Sequence, residues 1–174
     1  MVRKILPSTD PRLRQKSKPV AKIDKKIISL IKDLKDTLNV QKDPEGVGLA
    51  APQLGKALRV FVVLDSGETR AVVNPEVIRV SEEIHGKVKK GEIMEGCLSL
   101  PHYYGPLDRA KKITIKYLNE EGKEVVEDFV GFTAQIIQHE IDHLNGILFI
   151  DRLLAAKKPL YKLVGQEWEE IELI

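Results

Sequence analysis

The sequence contains a single cysteine, Cys97, so no disulfide bond can form within the chain. A reducing compartment is therefore expected, and the lone thiol serves either packing or chemistry. No apolar run approaches the roughly 20 residues that cross a membrane, and the first residues lack the continuous apolar stretch of a secretory signal. We therefore expect a cytoplasmic protein without membrane association.

Positive and negative side chains nearly cancel, which leaves a formal net charge of +2 at pH 7. A charge of this size does not call for a polyanionic partner, so no direct nucleic acid binding is expected. The 174 residues suffice for one domain with a buried core. We therefore predict a single domain over residues 1–174, with a short C-terminal tail that is first basic and then acidic.

The order of the predicted elements indicates an α+β fold. Residues 1–23 are predicted to form an extended arm, and Asp24 is predicted to cap a helix that runs to about residue 41. After a loop at 43–55, strands are predicted at 58–64, 71–74, 77–84 and 91–98, followed by a hairpin of 112–118 with 124–130. We expect the second helix, 132–144, to pack against antiparallel sheets.

The second helix carries the main chemical signal of the sequence. His139 and His143 are four residues apart, so their imidazoles lie on one helix face and can bind one metal ion. Glu140 follows the first histidine and can act as a general base for water at such an ion. The pattern therefore predicts a metal-dependent hydrolase, whose class depends on the third metal ligand.

The sequence offers several third ligands. The position six residues after His143 is Phe149, which excludes the three-histidine pattern of the metzincins. Cys97 follows a glycine at the end of a predicted strand, and a thiolate with two imidazoles is typical of a catalytic metal site. The alternative is a zinc endopeptidase that uses a glutamate of the tail (Glu167, Glu169 or Glu170). A closed structural site, with His85 or His102 as fourth ligand, is a further alternative without catalysis.

A glycine-rich segment, residues 46–53, adds exposed backbone and the amide of Gln53 to the candidate site. The segment lacks the Lys-Ser/Thr pair of a phosphate-binding loop, so it does not predict nucleotide binding. Taken with Glu95-Gly96-Cys97-Leu98-Ser99 and Gln138-His139-Glu140-Ile141-Asp142-His143, it gives the chain a clear resemblance to the peptide deformylases. The order and spacing of the three segments match that family over roughly residues 3–152.

The resemblance implies an α+β hydrolase that removes the formyl group from the N-terminal formyl-methionine of newly made polypeptides. By similarity, Cys97, His139 and His143 bind one divalent ion, for which Fe²⁺ is the family's usual native metal and Zn²⁺, Ni²⁺ or Co²⁺ can substitute. The resemblance also implies that Glu140 is the general base and acid, and that the Gln53 amide and the Leu98 N–H are the oxyanion donors. The implied substrate-binding residues are Gly48 through its backbone, Glu95, which would also pair with Arg109, and the methionine pocket of Val47, Ile93, Phe132 and Ile136. Some relatives dock on the ribosome through a basic C-terminal helix, but the acidic tail does not support ribosome association here.

Overall fold

The computed structural model describes residues 1–84 and 94–172, and within them three helices and two antiparallel sheets form the fold. The helices are α1 (Lys25–Asn39), α2 (Gly131–Leu144) and α3 (Phe149–Ala155). The first sheet has the order β1-β2-β3-β6-β7, with β1 (Gly48–Ala50), β2 (Val60–Asp65), β3 (Glu68–Val80), β6 (Lys112–Leu118) and β7 (Glu124–Val130). The second has the order β4-β5-β8-β9, with β4 (Glu95–Cys97), β5 (Leu100–Gly105), β8 (Leu160–Val164) and β9 (Glu167–Ile171).

Around β2 the first sheet is covered on both faces, which explains the unbroken apolar run of this strand. Val60 and Val62 point towards the helix α1, whereas Phe61 and Val63 point towards α2. Successive side chains of a strand face opposite sides of a sheet. A strand covered on both sides therefore needs apolar residues at every position rather than at every second one.

The helix α1 begins and packs as its sequence predicts. The Asp24 side chain accepts hydrogen bonds from the backbone N–H groups of Lys26 and Ile27, at 2.9 and 3.0 Å. Such an N-cap satisfies donors that the first turn of a helix leaves unpaired. The buried positions Ile27, Ile31, Leu34 and Leu38 follow the 3.6-residue period and cover one face of the first sheet.

The helix α2 packs on the opposite face of the first sheet and carries the two histidines. Its apolar side chains, which include Ile137, Ile141 and Leu144, share one core with residues of β2, β6 and β7. The fold class is thus as predicted: α+β, with the histidine-bearing helix packed against antiparallel strands. Among the described residues there is no helix with the length and apolar character that crossing a membrane requires.

The C-terminal residues form ordered secondary structure, which the sequence analysis did not predict. The strands β8 and β9 form a hairpin, and β8 pairs with β5, with Tyr103 opposite Lys162 and Tyr104 opposite Tyr161. Leu153 of α3 and Leu160 of β8 share a core cluster with Cys97. No secondary structure was predicted for this tail, whereas its residues complete the second sheet.

Two further parts of the secondary structure differ from the prediction. The strands expected at 71–74 and 77–84 are one strand, β3, which passes Pro75 through a register shift between Val73 and Glu76 and ends at Val80. The loop expected at 43–55 contains the short strand β1, whose three residues pair with Phe61–Val63. Of the strand expected at 91–98, only residues from Met94 onward are described, and they include β4.

The N-terminal arm is packed down, as predicted. Leu13 is fully buried, and backbone N–H groups of the arm donate to carbonyl oxygens around the candidate site. Leu6 donates to the Gln53 carbonyl at 2.8 Å, and Ser8 donates to the Ser99 carbonyl at 2.7 Å. The arm therefore holds together two segments that the sequence analysis singled out.

The role of α3 in the core can be tested by a pair of adjacent substitutions. Leu153 is fully buried whereas Leu154 is 48% exposed. We expect Leu153→Ala to lower the free energy of unfolding by about 2–5 kcal/mol, because it leaves a cavity between α3 and the second sheet. Leu154→Ala serves as the control and should change the free energy of unfolding far less. Urea unfolding of both variants measures the difference, and equal effects would mean that α3 is not part of the core.

Candidate metal centre

Three side chains from two distant parts of the sequence converge at one point. The Cys97 Sγ atom at the end of β4 lies 3.3 Å from the His143 Nε2 atom of α2. The Nε2 atoms of His139 and His143 lie 3.1 Å apart. All three ligand atoms lie within 4.8 Å of one another, and all three side chains are at most 9% exposed.

This cluster fits a metal ion. Nitrogen and sulfur ligands bind an ion such as Zn²⁺ at roughly 2.0–2.3 Å, so in a tetrahedral site they lie roughly 3.3–3.8 Å apart. The two closest separations of the cluster are near that range. A thiolate with two imidazoles, and no fourth side chain in the cluster among the described residues, is the donor set of a catalytic site with an open position.

Glu95 fixes the orientation of the first histidine. Its Oε1 atom accepts a hydrogen bond from the His139 Nδ1 atom at 2.6 Å, which directs Nε2 towards Cys97 and His143. Arg109 donates to both oxygens of the same carboxylate, at 2.6 and 2.9 Å, so the predicted pair is confirmed. Burial acts to raise the pKa of Glu95, but the bonds from Arg109 and His139 outweigh it and lower the pKa to about 2.

The ionic network extends beyond the residues that the sequence analysis found. Arg109 also donates to the Asp142 Oδ2 atom at 2.7 Å, and Arg152 of α3 donates to both oxygens of Asp142, at 2.6 and 3.1 Å. The carboxylates of Glu95 and Asp142 are both buried. The position of Asp142, between the two histidines on a buried helix, was the signal that could have identified it.

The charges of the cluster favour a thiolate at Cys97. Burial alone would raise the pKa of this thiol, but the neighbouring imidazoles of His143 and His139 hold it well below its usual value. A thiolate is the form that binds metal ions. The protein environment therefore prepares the ligand for the ion.

Glu140 lies in the same cavity and has an unused oxygen. The residue is 2% exposed, and its Oε2 atom has no hydrogen-bond partner among the described residues. Burial raises the pKa of Glu140 to about 7. Gly48 of β1 packs directly against it, and a β-carbon at this position would lie 2.8 Å from Ile136 Cγ2 and would collide with the carboxylate of Glu140. The close approach of β1 to α2 therefore requires glycine here.

Gln53 is held in a fixed orientation at the edge of the cluster. Its Oε1 atom accepts a hydrogen bond from the Ala50 N–H at 2.9 Å. Its Nε2 atom donates to Ser99 Oγ at 3.1 Å and lies 3.7 Å from Cys97 Sγ. The side chain is 1% exposed, so its amide donor is fixed beside the cysteine by the protein alone. Ser99 is a second residue that the sequence analysis did not assign to the site.

The cluster opens into a cavity of about 260 Å³. One side is formed by α2 and the segment before β1, and the other by β4, β5 and the turn between them. Most of the residues that the resemblance assigned to the site line this cavity: Val47, Gly48, Gln53, Glu95, Cys97, Leu98, Phe132, Ile136, His139 and Glu140. The predicted pocket residue Ile93 lies outside the described residues.

The alternative ligands lie elsewhere. Glu167, Glu169 and Glu170 are exposed residues of β9, at the outer edge of the second sheet, and are not part of the cluster. His102 is 43% exposed, and its Nδ1 atom lies 3.9 Å from an oxygen of Asp43 rather than with the ligands. His85 lies outside the described residues. Within the described part of the chain, Cys97 is thus the residue that joins the two histidines.

Comparisons with known proteins agree with this geometry. A protein-family model described as polypeptide deformylase matches residues 2–159. A peptide deformylase of Pseudothermotoga lettingae is 47% identical over 95% of this chain and 94% of the relative, and one of Halothermothrix orenii is 50% identical over 83% and 89%. The crystal structure of peptide deformylase from Thermotoga maritima superposes with a TM-score of 0.79 at 39% identity, over 87% of this chain and 97% of that one.

The orienting role of Glu95 can be tested through metal affinity. We expect Glu95→Gln to weaken metal binding by about 10- to 100-fold, because the amide no longer holds the His139 ring by a charged hydrogen bond. Competition with a chelator measures the affinity, and thermal unfolding shows whether the variant is folded. Glu83→Gln, at a side chain that is 79% exposed, is the matched control. Unchanged affinity in folded Glu95→Gln would contradict this role.

Proposed function

This chain belongs to the peptide deformylase family, metallohydrolases that remove formyl groups from the N-termini of newly made polypeptides, and we propose how its residues divide that reaction. The observation that carries the proposal is the convergence of Cys97, His139 and His143 beside the buried carboxylate of Glu140. Water adds to the formyl carbon, the bond from that carbon to nitrogen breaks, and the products are formate and a free amine.

Cys97, His139 and His143 would hold one divalent metal ion. When bound, such an ion lowers the pKa of water towards about 7 and polarises the formyl carbonyl group. We propose Fe²⁺ as the native ion, with Zn²⁺, Ni²⁺ or Co²⁺ as substitutes, since borderline divalent metals accept the same nitrogen and sulfur ligands. Both oxygens of Glu95 are occupied by Arg109 and His139, so we propose that it positions a ligand rather than contacts the substrate.

Glu140 would transfer a proton from the attacking water to the leaving amine. Its free Oε2 atom can accept a proton from the attacking water and return it to the nitrogen of the leaving amine. Burial suits a carboxyl group to both steps, because it raises the pKa towards the pH at which the reaction runs. Gly48 allows β1 to pack against this residue, and its backbone would contact the substrate peptide.

Gln53 and the Leu98 N–H would stabilise the negative charge that grows on the formyl oxygen. The Gln53 amide is held beside Cys97 by its bonds to Ala50 and Ser99, so no reorganisation is needed during the reaction. Leu98 follows Cys97 directly and lines the same cavity. A donor fixed in advance at the developing charge lowers the barrier more than a mobile one.

Apolar side chains on the α2 side of the cavity would receive the methionine side chain. Val47, Phe132 and Ile136 line this side, and we assign Ile93 to the same pocket by its sequence position. The natural substrates would be formyl-methionyl N-termini. We place the protein in the cytoplasm, where such chains are made, and propose residues 1–174 as one catalytic unit. We do not propose ribosome association or nucleic acid binding, since the exposed strand β9 is rich in glutamate.

The role of Glu140 can be tested by Glu140→Gln, which keeps the shape of the side chain and removes its basic oxygen. We expect metal content to stay the same and formate release from formyl-Met-Ala to fall at least about 100-fold, in line with the usual contribution of a general base. Metal analysis and a formate assay on anaerobically purified protein measure the two effects. Glu124→Gln, at an exposed residue of β7, is the control. Normal turnover in folded, metal-loaded Glu140→Gln would remove Glu140 from the mechanism.

A second substitution tests the oxyanion donor. We expect Gln53→Ala to lower kcat by about 100- to 1000-fold with a much smaller change in KM, because the lost hydrogen bond forms mainly in the transition state. Gln15→Ala removes an exposed amide of the N-terminal arm and should leave both constants unchanged. Steady-state kinetics of formate release measure kcat and KM for both variants. An effect confined to KM would assign Gln53 to substrate binding instead.

A further inference from the structure

The C-terminal hairpin of β8 and β9 lies beyond residues 2–159, the part of the chain that the family model matches. It nevertheless pairs directly with β5, a strand that borders the candidate active site. Tyr103 and Tyr104 are the two residues of β5 that pair with β8, and both line the cavity. The hairpin therefore supports one wall of the site from behind.

Two side-chain contacts connect the hairpin to this wall. The Trp168 ring of β9 meets the Tyr104 ring edge to face, with 5.4 Å between the ring centres and an angle of 89° between the planes. The Lys162 ammonium of β8 lies 5.7 Å from the centre of the Tyr103 ring. Edge-to-face aromatic pairs and cation–π contacts both restrict the position of a ring. The hairpin thus holds both tyrosines in place.

Tyr104 lines the cavity and lies beside the strand that ends in the ligand Cys97. Its ring lies across Gly96, the residue before Cys97, where a β-carbon would come within 2.6 Å of the ring atom Cδ1. Partial burial and, to a smaller extent, the negative charge of Asp43 raise the pKa of Tyr104. Asp43 belongs to the exposed loop beside Pro44 and Glu45, which line the entrance.

We propose that Trp168, through Tyr104, sets the affinity for the substrate residues that follow the methionine. The inference rests on the proposed function, in which the methionine side chain occupies the opposite, α2 side of the cavity. The β5 side then remains for the continuing peptide. An aromatic wall of this kind favours peptides whose third residue is apolar or aromatic. Trp168 touches no reacting atom, so it is a positioning residue.

Trp168 is the only tryptophan of the sequence, so its fluorescence reports directly on the hairpin. Metal-loaded Glu140→Gln protein can be titrated with formyl-Met-Ala and with formyl-Met-Ala-Phe-Ala, neither of which contains tryptophan. We expect the longer peptide to change the emission and the dipeptide to leave it nearly unchanged. No change with either bound peptide, or equal changes with both, would overturn the inference.

Kinetics of the otherwise unchanged holoenzyme give a second test. We expect Trp168→Ala to raise the ratio of KM for the longer peptide to KM for formyl-Met-Ala by about 3- to 10-fold, the worth of one aromatic pair. Trp168→Phe retains a ring and should restore most of the ratio. Glu169→Gln, at the exposed neighbour on β9, is the control and should leave the ratio unchanged.

The outcomes separate the inference from the function on which it rests. A constant KM ratio in folded Trp168→Ala, or a loss that is equal for both peptides, would mean that the hairpin has only a structural role. If Trp168→Ala does not fold, Trp168→Phe and the emission titration decide. Absence of formate release from either peptide by the unmodified holoenzyme would instead contradict the proposed function itself.

Discussion

Arg109 is a buried cation between two buried carboxylates, and the position of the metal ligands depends on it. It joins Glu95 of β4 to Asp142 of α2, so it ties the strand that ends in Cys97 to the helix that carries both histidines. A buried carboxylate without a partner is costly, and here each one has a charged donor. The network therefore fixes the relative position of two elements whose ligands must meet within a few ångströms.

The roles of the individual site residues follow from this fixed arrangement of β4 and α2. Two of the site residues are held by a hydrogen bond to a second residue: His139 by Glu95, and the Gln53 amide by Ser99. The neighbouring imidazoles keep the pKa of Cys97 well below its usual value. Two atoms of the site are exceptions: His143 Nδ1 and Glu140 Oε2 have no hydrogen-bond partner among the described residues, and Glu140 lines the cavity. A buried polar atom left unsatisfied normally destabilises a protein, which is a reason to expect the Glu140 oxygen to serve the reaction.

The site was predictable from sequence where short spacing determines geometry, and not where distant segments meet. His139 and His143 lie on one face because helical period alone dictates it, and Cys97 was chosen as a chemically suited third ligand. The links from Asp142 to Arg152 and from Tyr104 to Trp168 join residues that are 10 and 64 positions apart and depend on packing. The hairpin itself had a local signal in Gly165, a residue type that favours tight turns, and the structure shows it at the turn between β8 and β9 with a positive φ of 62°.

Two of the strands that border the cavity, β1 and β4, each lie at one edge of their sheet within residues 1–84 and 94–172, and each has only three residues. A free edge exposes unpaired backbone groups, which can recruit strands of other proteins and lead to aggregation. Each of these two edges offers the backbone groups of three residues only, which is too short to pair with a long strand of another protein. The same shortness that protects the protein from its neighbours limits strand-like pairing at the cavity to a few residues of an entering chain.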